Sequence, residues 1–107
     1  MHITLSGHHL TITDALRNYV HDKLARVERH LDDAAANAQI ILSVDKQRHK
    51  AEATLRVAGN DVYANAIEEN MYAAIDMLID KIDRQSKKYR EKQTDKRRGE
   101  KVRVYEA

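Results

Sequence analysis

Hydrophobic and polar residues alternate at the start of the chain and then change period. In "HITLS" (residues 2–6), Ile3 and Leu5 fall on one face and His2, Thr4 and Ser6 on the other, which predicts a half-buried strand. From Thr13 the spacing becomes helical. Leu16, Val20, Leu24, Val27 and Leu31 make one apolar stripe, with Thr13 placed to cap the helix and Asp14 in the first turn, where the helix dipole favours a negative charge. "DDAAANA" (32–38) reads as a connector. Alternation then returns: "QIILSVDK" puts Ile40, Leu42 and Val44 on one face, and "HKAEATLRVA" puts Ala51, Ala53, Leu55 and Val57 opposite Lys50, Glu52, Thr54 and Arg56. "DKQRH" (45–49) is short enough for a hairpin, and "AGND" (58–61) predicts a tight turn in which Gly59-Asn60 supply positive φ. "VYANAI" alternates small residues with Tyr63 and Asn65 as a further strand. A last helix is expected from about Glu69, with Met71, Ile75, Leu78 and Ile82 in its stripe and the pattern running to Tyr89.

The element order is therefore β-α-β-β-β-α. A helix joining the first two strands makes them parallel if adjacent, and the two hairpins make the remaining pairs antiparallel. Both apolar stripes need one sheet face, so the expected fold is α+β, a four-stranded sheet with two helices side by side on one face, similar to a double-stranded RNA-binding domain. The other sheet face is expected to be polar. One domain over residues 1–94 and a basic, flexible tail over 95–107 account for the chain, with no internal repeat or linker.

Charge changes this picture more than composition does. The net charge of +2 conceals an asymmetry: residues 1–80 carry 8 basic and 12 acidic side chains, whereas residues 81–107 carry 11 basic and 5 acidic. So dense a positive segment points to nucleic acid or another anionic surface. The chain lacks Cys, which excludes disulfides and Cys-based zinc sites and suits a reducing compartment. "MHITLSGHHL" has neither the basic start nor the apolar run of a secretory signal, and nothing approaches a membrane span; a cytoplasmic protein is expected.

Candidate chemistry is sparse. With three Ser and three Gly, the chain builds no glycine-rich phosphate loop and no nucleophile elbow, so no enzymatic activity is expected. The six histidines lack metal-ligand spacing on a helix face, and no metal or cofactor is expected. The basic residues are better organised. At about 100° per residue, Lys81, Arg84 and Lys88 share one flank of the last helix, beside its apolar stripe, and Lys92 lies close by. Lys23, Arg26 and His30 share a flank of the first helix, with Tyr19 one turn earlier. If the helices lie side by side, the two rows can form one ridge or groove wall; ordinary snorkelling at the core's edge gives the same spacing. The third strand offers Lys50, Glu52, Thr54 and Arg56, with no aromatic pair on which bases stack, which argues against sequence-specific reading from the sheet and for backbone and shape recognition by helix-borne cations.

From "ITLSGHHLTITDALRNYV" through "KLARVERHL", "IILSVDK" and "AEATLRV" to "NMYAAIDMLIDKIDRQSKK", over about residues 1–92, the sequence resembles the bacterial ribosome hibernation promoting factors and the related ribosome-associated inhibitor. The resemblance implies a non-enzymatic protein that binds rRNA of the small ribosomal subunit in the channel for messenger and transfer RNA, silencing ribosomes in stationary phase or stress. It also implies rRNA-facing positions at Lys23 and Arg26 on the first helix and at Lys81, Arg84, Lys88 and Lys92 on the second. Three departures stand out. Asn70 replaces the family's usual Asp before "MYAAID". The length leaves no room for the dimerising domain of long-form members, so the free protein is expected to be a monomer, and pairing of ribosomes would need the family's small ribosome modulation factor as a further partner. The tail "DKRRGEKVRVYEA" is basic where the inhibitor branch is acidic, which favours the short hibernation-promoting branch. A general double-stranded RNA-binding module or RNA chaperone, and a module docking an acidic protein through the tail, are the competing readings.

Overall fold

The computed structural model describes residues 2–31, 35–57 and 60–85. Among these, four strands form one sheet in the order β1-β2-β3-β4, from β1 (His2–His8), β2 (Ala35–Asp45), β3 (Arg48–Val57) and β4 (Asn60–Glu68). Helix α1 (Asp14–Leu31) connects β1 to β2, and helix α2 is described over residues 71–85. β1 and β2 are parallel, with Leu5 opposite Ile40. β2–β3 and β3–β4 are antiparallel, with Ile40 opposite Ala53 and Ala53 opposite Ala64. The β-α-β-β-β-α order and the α+β class are those the residue pattern predicts.

The register explains the core. Ala38, Ile40 and Leu42 of β2, Ala51, Ala53 and Leu55 of β3, and Val62, Ala64 and Ala66 of β4 all bury on one face. Leu16, Val20, Leu24 and Val27 of α1, and Met71, Ile75, Leu78 and Ile82 of α2, pack against it. The small side chains of β3 and β4 let the helices sit close, so bulk comes from the helices and room from the sheet. Truncating Leu24 or Ile75, both fully buried, would cost on the order of 2–5 kcal/mol. Ile3 and Leu5 on the edge strand β1 are only partly covered.

The helix starts follow from capping. The Thr13 hydroxyl accepts a hydrogen bond from the Leu16 amide at 3.1 Å. Asn70 does the same for α2, its Oδ1 accepting from the Ala73 amide at 2.8 Å. The last helix therefore begins at Met71 rather than near Glu69, because the Asn70 side chain satisfies an amide that would otherwise lack a partner.

Three other boundaries differ from the sequence pattern. "DDAAANA" is not all connector: β2 already begins at Ala35, which pairs with Val57, and a register shift lies between Ala35 and Asn37. Alanine has weak strand preference on its own, and it is pairing with β3 that extends the strand. The β2–β3 hairpin closes on two residues, Lys46 and Gln47, with Lys46 at φ 58°. In the second hairpin Asn60 and Asp61, expected in the turn over 58–61, belong to β4 and pair with Val57 and Arg56, and residues 58–59 lie outside the described residues. The boundary at residue 94 and the tail 95–107 also lie outside them. Gly7 is required by a close approach: a Cβ there would meet the Leu10 carbonyl oxygen at 2.6 Å, where the chain folds back over the end of β1.

Candidate nucleic-acid interface

The flank of α1 that carries Tyr19, Lys23 and Arg26 turns toward α2. It meets acids there, not the cations of the second helix. The Tyr19 hydroxyl donates a short hydrogen bond to the Asp76 carboxylate, and the Lys23 ammonium lies 3.5 Å from the same carboxylate. Lys23 also sits over the Tyr19 ring, 5.3 Å from its centroid. Tyr72, from the first turn of α2, meets Tyr19 edge-to-face at 4.9 Å. The hydrogen bond to Asp76 raises the Tyr19 pKa above its ordinary 10.0, with desolvation adding to the shift. The phenol is therefore a fixed donor that ties one helix to the other.

Beyond this cluster a groove of about 680 Å³ opens between the helices, with Lys23 and Arg26 on one wall and Asp76, Asp80 and Asp83 on the other. The Lys23–Asp76 pair keeps roughly a quarter of the lysine and half of the aspartate side chain exposed. Such partly solvated pairs contribute about 0–1 kcal/mol, so Lys23 can exchange its carboxylate for a phosphate at little cost.

The second row lies elsewhere on α2. Lys81 reaches the far flank and donates to the Asn65 carbonyl oxygen at 2.8 Å, and Gln85, one turn later, donates to the Tyr63 carbonyl at 3.2 Å. Both carbonyls are on β4, at the edge of the sheet, so these side chains cover backbone acceptors that could otherwise template another strand. Arg84 is largely exposed and pairs with Asp80 at 2.8 Å. Lys88 and Lys92 lie outside the described residues, as does the side chain of His30. Lys23 and Arg26 thus share the interhelical groove, while Lys81 and Arg84 occupy another part of the helical layer. Among the described residues the two rows do not form a single groove wall, because the acidic flank of α2 comes between them.

The open sheet face is polar in its centre, where Thr4, Asn37, Gln39, Thr54 and Arg56 line a shallow depression. It is less uniformly polar than the pattern predicts. Tyr63 and Ile67 on β4 are half exposed. The Tyr63 hydroxyl donates to Glu52 at 3.1 Å, and Lys50 pairs with Glu52 at 3.5 Å, so charges on this face largely balance. Among the described residues, no group of three or more His, Asp or Glu side chains is placed to hold a metal ion, and no helix is long and apolar enough to cross a membrane.

A sequence profile of the family described as "Sigma 54 modulation protein / S30EA ribosomal protein" matches residues 3–94. The chain belongs to that family. Its similarity to individual members of the Sigma 54 modulation/S30EA family is extensive. It is 51% identical over 100 residues to the ribosome hibernation promoting factor of Azotobacter vinelandii, covering 94% of this chain and 92% of the relative. It is 40% identical over 92 residues to that of Escherichia coli strain K12, covering 86% and 96%. Among solved structures, a ribosomal subunit interface protein from Coxiella burnetii superimposes with a TM-score of 0.79 at 31% identity, covering 84% of this chain and 98% of the other. The N-terminal domain of Thermus thermophilus Protein Y gives 0.77 at 36% identity, covering 83% and 99%.

Two residues of this interface escape a reading by helical spacing alone. Asp76 looks like an ordinary surface acid, and Tyr72 like the edge of an apolar stripe. What could have marked them is that Tyr72 and Asp76 are i, i+4 on α2, as Tyr19 and Lys23 are on α1: two aromatic–charge pairs at matching spacing. Asn70 also gains a meaning. Asn and Asp are comparably good N-caps, so an Asp at this position would start the helix in the same way.

Proposed function

We propose that this protein is a non-enzymatic ribosome hibernation factor. In this reading it binds rRNA of the small ribosomal subunit in the channel used by messenger and transfer RNA, and silences translation by occupying that space. The observation that carries the reading is the match to the Azotobacter vinelandii ribosome hibernation promoting factor over 94% of the chain and 92% of the relative. The layout of the fold supports it. Two helices carry Lys23, Arg26, Lys81 and Arg84 on a rigid layer, and Lys88 and Lys92 continue the second row in sequence. Cations fixed on a folded scaffold bind RNA backbone with little ordering cost, and the release of condensed counterions then supplies most of the affinity. The open sheet face, where Lys50 is paired with Glu52, takes no phosphate in this arrangement. A small ribosome modulation factor acting on the same ribosome is the partner through which silenced ribosomes would pair.

The test is a purified translation system. Added protein should co-sediment with small subunits and inhibit initiation, and inhibition should fall as initiation components are raised. Undiminished inhibition of ribosomes already elongating would rule out occupation of an empty channel. Equal affinity for naked duplex RNA and for small subunits would instead identify a general double-stranded RNA-binding module.

A further inference from the structure

Tyr72 is 44% exposed, although it stands in the first turn of a helix whose other apolar residues on the sheet side are buried. Its orientation is nevertheless fixed. Asn70 caps the turn it stands on, and Tyr19 meets it edge-to-face at an interplanar angle of 89°. Tyr19 is itself held by its hydrogen bond to Asp76 and by Lys23 above its ring. An edge-to-face pair covers at most one face of either ring, so Tyr72 keeps aromatic surface open to solvent while losing little conformational freedom. Lys23 and Arg26 lie along the neighbouring flank of α1.

We propose that Tyr72 is a stacking platform for one unpaired nucleobase of the bound RNA, with Lys23 and Arg26 taking the flanking phosphates. An exposed, preoriented aromatic ring beside a row of cations is the arrangement by which proteins hold single-stranded nucleotides. Asp76 is held away from the ring's open surface by its hydrogen bond from the Tyr19 hydroxyl, which stays in place when Lys23 turns to a phosphate. The site would add a contact to a splayed-out base to a surface otherwise suited to backbone recognition. It rests on the rRNA-binding reading above.

Binding to purified small subunits should be measured across a salt series for the wild-type protein, Tyr72→Phe and Tyr72→Leu, with the thermal midpoint of each. The Phe variant keeps the ring and should bind within about twofold of wild type. The Leu variant keeps apolar bulk and should lose about tenfold or more, with an unchanged salt slope because no phosphate contact is removed. Wild-type affinity in a folded Leu variant, or equal losses in Phe and Leu, would overturn the stacking site while leaving subunit binding intact. Failure of the wild-type protein to bind small subunits would overturn both readings. If the Leu variant does not fold, ultraviolet crosslinking of the wild-type complex decides: a nucleotide attached to Tyr72 supports the site, and crosslinks without one at Tyr72 overturn it.

Discussion

Tyr19 shows how one side chain can set the geometry of two helices. Its phenol must be protonated to donate to Asp76, and ionisation would set two negative charges against each other. The folded-state pKa is therefore raised, first by that hydrogen bond, above the 10.0 expected of an unfolded chain. A group raised on folding contributes stability that is complete below its unfolded pKa and disappears as pH rises through the folded value. Unfolding by urea should accordingly show a gap between wild type and Tyr19→Phe that is constant to about pH 10 and shrinks above it. Lys23 is present in both proteins, so comparing them isolates the phenol. A gap that stayed constant to pH 11 would mean that the bond to Asp76 adds nothing in solution. The sequence showed Tyr19 and Lys23 on one flank, and it could not show their partner, because Asp76 lies 57 residues further along and only tertiary packing brings it near.

At the scale of elements, what could be read from the chain was whatever local spacing determines. The α1 stripe from Leu16 to Val27, its Thr13 cap, the alternation of β3 and β4 and a hairpin within residues 45–49 all appear as predicted. Boundaries set by a distant partner did not: β2 extends back to Ala35 because β3 is there to pair with it. The start of α2 lies between these cases, since a single side chain decides it. Replacing Asn70 with Ala should remove the hydrogen bond to the Ala73 amide and lower stability by about 1 kcal/mol, whereas Asn70→Asp should be neutral or slightly stabilising at the positive helix end. Chemical denaturation of the three proteins measures this. Equal losses for Ala and Asp would show that the cap does not determine where the helix begins. The row that begins with Lys81 and Arg84 was legible, but the attachment of Lys81 and Gln85 to the β4 edge was not. That contact depends on which side of α2 the last strand passes, a matter of layer packing and not of helical period.

For the whole molecule, the arrangement of charge is more informative than its sum. Lys23 and Arg26 lie in the interhelical groove, Lys81 and Arg84 lie elsewhere on α2, and the acids of α2 come between. Lys50 and Arg56 project from the opposite side of the sheet. If an RNA surface lies across the helical layer, both helical rows should contribute, and close to additively, since Lys23 pairs with Asp76 and Arg84 with Asp80. Changing Lys23 and Arg26 to Gln should flatten the slope of log affinity for small subunits against log salt by roughly two, changing Lys81 and Arg84 to Gln should do the same, and combining all four should flatten it by roughly four. Lys50→Gln with Arg56→Gln removes the same charge from the open sheet face and should leave the slope nearly unchanged. Folding should tolerate every variant, since exposed ion pairs of this kind contribute about 0–1 kcal/mol; the Lys81 variant loses in addition one hydrogen bond to a β4 carbonyl. Flattening from only one helical pair would place RNA on a single flank and remove the other row from the interface. Equal flattening from the sheet pair would mean that binding follows net charge alone, and the orientation of the helices toward rRNA would have to be abandoned.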